Sequence, residues 1–391
     1  MPFAEFLRQF RALLPGASNP QRPVARVKRA LAYVFGTKRK QLDTFRPTQL
    51  EARDFIDYLL SAINLEKKAL SADRNLALSK ILAYNETPGK SCFADIDPHV
   101  FAFQLALRIR EPSLINQAAA DVCGEASLMI FVAKNTPSVF ADYAISLMRN
   151  GRGKLHNLTI EPSYHTVSGS GPRRGMSEAD VVTVGSLGLS LVKFFEGSGT
   201  GAVCGWLRDA GFGNVVDEVI NLSGLPGDAK LRENLAKAET AVSAKKLVIF
   251  AIDGDLVKKL QVVKASLAQS EQHKSAAGLP SIVVTRSLEP RTNPLRGTDH
   301  WVLVSSIEIK AQTVVVKLYS WKDSMTGTFD TNTFLSYYGG FIVAEPPPPP
   351  KKISIKPIST EDKSSAEDKS SEEDESSDED EWSDEDESPD E

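Results

Sequence analysis

Phe3, Phe6, Leu7, Phe10, Leu13 and Leu14 recur at steps of three and four residues, with Glu5, Arg8, Gln9 and Arg11 between them. That spacing predicts an amphipathic helix ended by Pro15-Gly16. Val24, Val27, Leu31, Val34 and Phe35 form the stripe of a second helix, stopped by Gly36, and Leu50, Phe55, Ile56, Leu59, Leu60 and Ile63 that of a third. Residues 1–95 therefore read as an all-helical N-terminal region. The helical pattern continues over 100–150 and gives way to a connection rich in glycine, serine and arginine over 151–175. Within it, Ser168 to Gly175 has neither a leading apolar strand nor P-loop spacing, so it reads as a loop rather than a phosphate cradle. Beyond Lys245 the apolar runs become short and rich in valine and isoleucine: Leu247 to Ile252, Ser281 to Thr285, Trp301 to Ile309, Thr313 to Trp321 and Gly340 to Ala344, with a helix from Leu256 to about Gln269. A helical half followed by a sheet-rich half is an α+β arrangement.

Composition changes this picture mainly at the C-terminus. With 41% hydrophobic residues, the 391-residue chain has enough apolar content to bury a core. The last 31 residues are different: 18 acidic side chains stand against Lys363 and Lys369, so this segment carries −16 and the first 360 residues carry +11. Pro346 to Pro350 reads as a polyproline spacer, and the acidic tail after it has too little apolar content to pack, so 346–391 is expected to be a linker and disordered tail. Ten basic and two acidic residues occupy positions 1–50. This basic face either meets an anionic surface, lipid or nucleic acid, or is a solvated helical cap. Three cysteines, Cys92, Cys123 and Cys204, make no disulfide framework. No apolar run approaches the roughly 18 residues of a transmembrane helix, and no cleavable leader is visible. The expectation is a soluble protein, cytoplasmic or exported by a non-classical secretion system.

The chemistry concentrates around Cys123. It immediately precedes an apolar segment in which Ala126, Met129 and Ile130 keep helical spacing, so its thiol falls at a helix N-terminus, where backbone amides favour the nucleophilic thiolate. Gln117, six residues earlier, offers a side-chain amide beside the Cys123 backbone amide as a second oxyanion donor. The equivalent positions before Cys92 and Cys204 are Glu86 and Ser198. His300 opens a strand in Asp299-His300-Trp301-Val302-Leu303-Val304, where a rigid element can hold an imidazole against a thiol delivered from the helical half. The next strand ends in Tyr319-Ser320-Trp321-Lys322-Asp323, about where a group orienting the imidazole belongs.

In this order, Gln, then Cys at a helix start, then His opening a strand, then a partner strand ending in Ser-Trp, the chain resembles the papain-like cysteine peptidase superfamily over about residues 100–345. The Gln117 to Cys123 spacing and Cys123-Gly124 are similar to the branch that processes bacteriocin leaders. The resemblance implies a papain-like fold over 96–345, with a helical half carrying Cys123 and an antiparallel β half carrying His300. It also implies that Trp321 shields the histidine. Tyr319 stands where the family has its orienting Asn or Asp, a departure that leaves three arrangements: Tyr319 orients His300, Asp323 does so from the strand end, or the site is a Cys-His dyad. On this resemblance the chain is a cysteine hydrolase of an amide or isopeptide bond in a protein or peptide substrate, needing no metal or cofactor. Deamidation and acyl transfer use the same apparatus. Helical and acidic extensions around such a domain are similar to secreted bacterial effectors. The rival class is a non-catalytic interaction protein whose basic body binds an anionic partner in competition with the acidic tail. Cys92, Asp95, Asp97 and His99 match no metal loop, His156 and His165 have no evident partner, and the tail serines sit among carboxylates that suit an acid-directed kinase.

Overall fold

The computed structural model describes residues 3–13, 31, 34–35, 39–66, 71–118, 122–162, 175–191, 199–220, 228–260, 299–320 and 323–348. Most of the expected second helix, Ser168 to Arg174, His165, the end of the helix expected to reach Gln269, Ser281 to Thr285, Trp321 and the acidic tail lie outside them.

In α1 (Phe3–Leu13) the phenylalanines three and four apart form one buried stripe. Phe6 stacks near Phe45, with ring centroids 4.7 Å apart, and Phe10 near Phe55 at 5.6 Å. Thr48 and Glu51 form a capping box at the start of α2 (Gln49–Glu66): the Thr48 amide donates to Glu51 Oε2 at 2.9 Å. After α3 (Ser71–Glu86), Asp97 caps α4 (Pro98–Arg110) by accepting from the amides of His99 and Val100. Phe103 of α4 packs on Phe3 and Phe55, at 5.1 and 4.9 Å, so the N-terminal helices share one core with the rest of the chain. A buried polar network reinforces this join. Arg108 of α4 is fully buried and holds Asp180 in a two-point pair at 2.7 and 2.6 Å, while also reaching Asp43 and Ser177. Burial alone would lower the guanidinium pKa, but Asp180 and Asp43 outweigh it and raise it.

Two further helices, α5 (Cys123–Asn135) and α6 (Pro137–Asn150), follow; Gly151 ends α6 at φ +61. Every residue of α5 from Cys123 to Ala133 is buried, the signature of a helix enclosed on all sides. The connection expected over 151–175 contains a small hairpin, β1 (Gly153–Leu155) and β2 (Leu158–Ile160). The stretch that the sequence left unassigned holds a helical run, Glu178–Asp180, a π-turn Val181–Gly185 and Ser186–Leu191, then α7 (Thr200–Asp209), β3 (Gly213–Asp217) and α8 (Asp228–Ser243).

The main sheet has six strands in the order β3-β8-β4-β5-β6-β7, each antiparallel to its neighbours. Its other members are β4 (Leu247–Ile252), β5 (His300–Ile309), β6 (Thr313–Ser320), β7 (Asp323–Asp330) and, after the short α9 (Thr331–Leu335), β8 (Tyr338–Glu345). One face gives Leu247, Ile249, Leu303 and Ile342 to the core shared with α5. The other gives Val248, Phe250, Ile252, Val302, Val304 and Leu318 to a second core, completed by α8, α9 and residues 256–260. The chain is thus α+β, with antiparallel sheet covered on both faces. Met1–Pro349 forms one compact unit. Among the described residues, no helix is long and apolar enough to cross a membrane.

Candidate active site

Cys123 is the first residue of α5, preceded by Val122, whose side chain supplies no cap. The helix can begin there because the run Ser186–Leu191 approaches without a side chain at Gly188: a Cβ at that position would stand 2.6 Å from Val122 Cγ1 and 2.7 Å from Glu125 Oε1. Burial pushes the Cys123 thiol up to about 12. The backbone amide of Trp301, then those of Cys123 and Gly124, donate toward Sγ and oppose this, while the Glu125 carboxylate adds to it. Ser127, one turn on, faces the Trp301 carbonyl at 3.5 Å. The start of α5 is therefore docked on the start of β5.

His300 pairs with Ile252 of β4 and shares that residue's face of the sheet. Its Nε2 lies 2.7 Å from Ser320 Oγ, at the end of β6. Burial lowers the imidazole to about 4; the Asp299 carboxylate resists this and Lys258 assists it. Asp299 is itself held in place, because its Oδ1 accepts the Gly254 amide at 2.7 Å. Thiol and imidazole are consequently both uncharged at neutral pH.

The other expected site residues fall as follows. Gln117 is buried, 8% exposed, between a 3-10 turn at Pro112–Leu114 and Ala118, whose φ is +51. Among the described residues its side chain makes no hydrogen bond. Tyr319 lies on the opposite sheet face from His300: it packs on the α5 core, and Lys134 Nζ sits 5.0 Å from its ring centroid. Asp323 is not the end of β6 but the first residue of β7, directly opposite Ser320; its Oδ1 accepts the Ser324 amide at 3.1 Å. The side chain that reaches His300 is Ser320, which the sequence reading passed over. Alternation along β6 assigns Leu318 and Ser320 to one face and Tyr319 to the other.

The remaining candidates are structural. Cys92 Sγ donates to the Arg149 carbonyl, Asp97 caps α4, and His99 Nδ1 meets Asn85 Oδ1 at 3.1 Å. No group of three metal-ligating side chains occurs among the described residues. His156 turns the β1–β2 hairpin at φ +52 with its ring edge-on to Phe212. Comparison of the chain with family models, with curated proteins and with solved structures finds no match.

Proposed function

We propose that the chain is a cysteine hydrolase of an amide or isopeptide bond, built on a papain-like arrangement. The observation that carries this reading is the docking of the first turn of the Cys123 helix on the start of β5, where Ser127 meets the carbonyl of Trp301, the residue next to His300. In the proposed reaction the thiol proton passes to His300 as sulfur attacks the carbonyl carbon, and the C=O electron pair moves onto oxygen. The Cys123 amide and Gln117 receive that oxyanion. The C–N bond then breaks as the imidazolium gives its proton to the leaving amine, and water hydrolyses the thioester by the same route. With an amine acceptor, or a glutamine side chain as substrate, the same steps become acyl transfer or deamidation.

Two observations favour the rival, an interaction protein in which Cys123 and His300 are core residues: both are at least 93% buried and uncharged, and His300 shares the second-core face of the sheet with Ile252 while α5 packs on the other face. A dipeptidyl vinyl sulfone separates the two. The hydrolase reading expects a single adduct on Cys123, absent from Cys123→Ala and slowed on the order of 100-fold in His300→Ala and Gln117→Ala. Labelling spread evenly over Cys92, Cys123 and Cys204, or sparing Cys123, supports the interaction protein instead.

A further inference from the structure

A third group that holds the imidazole distinguishes a triad from a dyad, and Tyr319, one of the two expected, lies on the other face of the sheet from His300. Ser320 is 6% exposed and His300 5%, so their contact at 2.7 Å is shielded from water. The β5–β6 register pairs Val304 with Leu318 and Leu303 with Tyr319. Continued by one step, it sets Ser320 opposite Val302, diagonal to His300 on the same face, within reach of a histidine side chain. Beyond Ser320, the β6–β7 pairing places Asp323 directly across.

We infer that Ser320 is the positioning residue of His300, its hydroxyl holding Nε2 so that Nδ1 is the nitrogen that exchanges a proton with Cys123. This inference rests on the cysteine hydrolase reading and adds to it the group that orients the base. A hydroxyl fixes the ring and its tautomer as an amide does, because Nε2–H donates to Oγ and leaves the Nδ1 lone pair as the base. It differs from a carboxylate in carrying no charge, so it orients the imidazole without stabilising the imidazolium. The site then rests as thiol plus neutral imidazole, and the thiolate forms only as the proton moves to Nδ1, with Nε2–H remaining on Ser320. Burial of both groups agrees with this state. The charges that act on His300 are Asp299 just before its own strand and Lys258 on the helical stretch 254–260; Asp253 follows β4, Asp323 lies across from Ser320, and Glu125 acts on Cys123.

Alkylation of Cys123 by iodoacetamide, followed by peptide mass between pH 5 and 9 on the full chain, tests this in wild type, His300→Ala, Ser320→Ala, Ser320→Thr and Ser320→Asp. Ser320→Ala is expected to slow alkylation at pH 7.5 about tenfold, a fraction of the whole general-base contribution, and Ser320→Thr to restore most of the rate. Ser320→Asp puts a negative charge beside Nε2, so imidazole nitrogen NMR should show the His300 pKa rising well above that of wild type and the alkylation profile moving to lower pH. A steric role for residue 320 would change neither the tautomer nor the pKa. If His300→Ala is slow while Ser320→Ala matches wild type in rate and profile, Ser320 does not position the base and the hydrolase reading survives. If His300→Ala is also unchanged, that reading fails and takes this inference with it. Should Ser320→Ala not fold, Ser320→Asp decides alone: an unshifted His300 pKa overturns the proposal.

Discussion

Cys123 and His300 owe their protonation to burial before any neighbour acts on them, and this couples the site to the pH dependence of folding. His300 titrates near 6.5 in an unfolded chain and at about 4 in the folded one. Between those values the unfolded state binds more protons, so stability falls as pH drops from about 6.5 to about 4, by up to about 3 kcal/mol from this residue. Cys123 acts in the opposite direction at the alkaline end. Its thiol is raised from 9.0 to about 12, so above about pH 9 the unfolded chain loses a proton that the folded one keeps, and stability declines as pH rises. Thermal melting of wild type and His300→Gln should give curves that diverge below pH 6.5, the variant falling less steeply because glutamine does not titrate. Parallel curves would show that His300 is hydrated in solution.

At the level of elements, the close approach of Ser186–Leu191 to the α5 start depends on Gly188. Gly188→Ala drives a Cβ into Val122 Cγ1 and Glu125 Oε1, one a stiff β-branched side chain and the other 1% exposed, and should cost about 1–3 kcal/mol while slowing Cys123 labelling. Gly205→Ala in α7 is the control: its added Cβ meets nothing within 4 Å, so helix propensity alone should raise the melting temperature. A Gly188→Ala protein as stable and reactive as wild type would disconnect that run from the site. Elements with strong periodicity were legible from the chain: the Phe3-Phe6-Phe10 stripe, α2, α5 beginning at Cys123, and the valine-rich β4, β5, β6 and β8. β7 was not, because Asp323-Ser324-Met325-Thr326-Gly327-Thr328-Phe329-Asp330 carries its buried face on only Met325, Gly327 and Phe329. The likeness of Tyr319-Ser320-Trp321 to the family's Asn-Ser-Trp sets Tyr319 beside His300, and the strand register turns it away. Ile309 pairs with Val314 and Ser306 with Lys317, a register that, carried on unbroken, pairs Val304 with Tyr319 and puts Tyr319 on the His300 face. A bulge between Val304 and Ser306 slips the pairing by one residue, so Tyr319 turns to α5 and Ser320 turns to His300. Nothing in the alternation of Val, Ser and Ile along β5 marks that bulge.

Across the whole molecule, charge and core are divided between different parts of the chain. The core runs from Phe3 to Ala344, joined across the boundary expected at residue 95 by the aromatic cluster on Phe103 and by the Arg108–Asp43 pair. The acidic residues of 361–391 determine the sign of the net charge, −5 overall. Removing residues 351–391 takes away 18 acidic side chains and five lysines, leaving +8. Long-range attraction to anionic surfaces depends on that sign and is screened over about 8 Å at physiological ionic strength. The truncated chain should therefore melt at the same temperature as the full one and show the same Cys123 alkylation rate, since every core residue is retained. It should also gain binding to vesicles containing anionic lipid, seen as co-sedimentation at low salt and lost as salt is raised. Increased binding that ignores salt would place the effect in apolar contacts rather than charge. A lower melting temperature without new binding would show that residues 351–391 support the fold, which their composition, with 18 acidic side chains against three isoleucines, one tryptophan and one alanine, argues against.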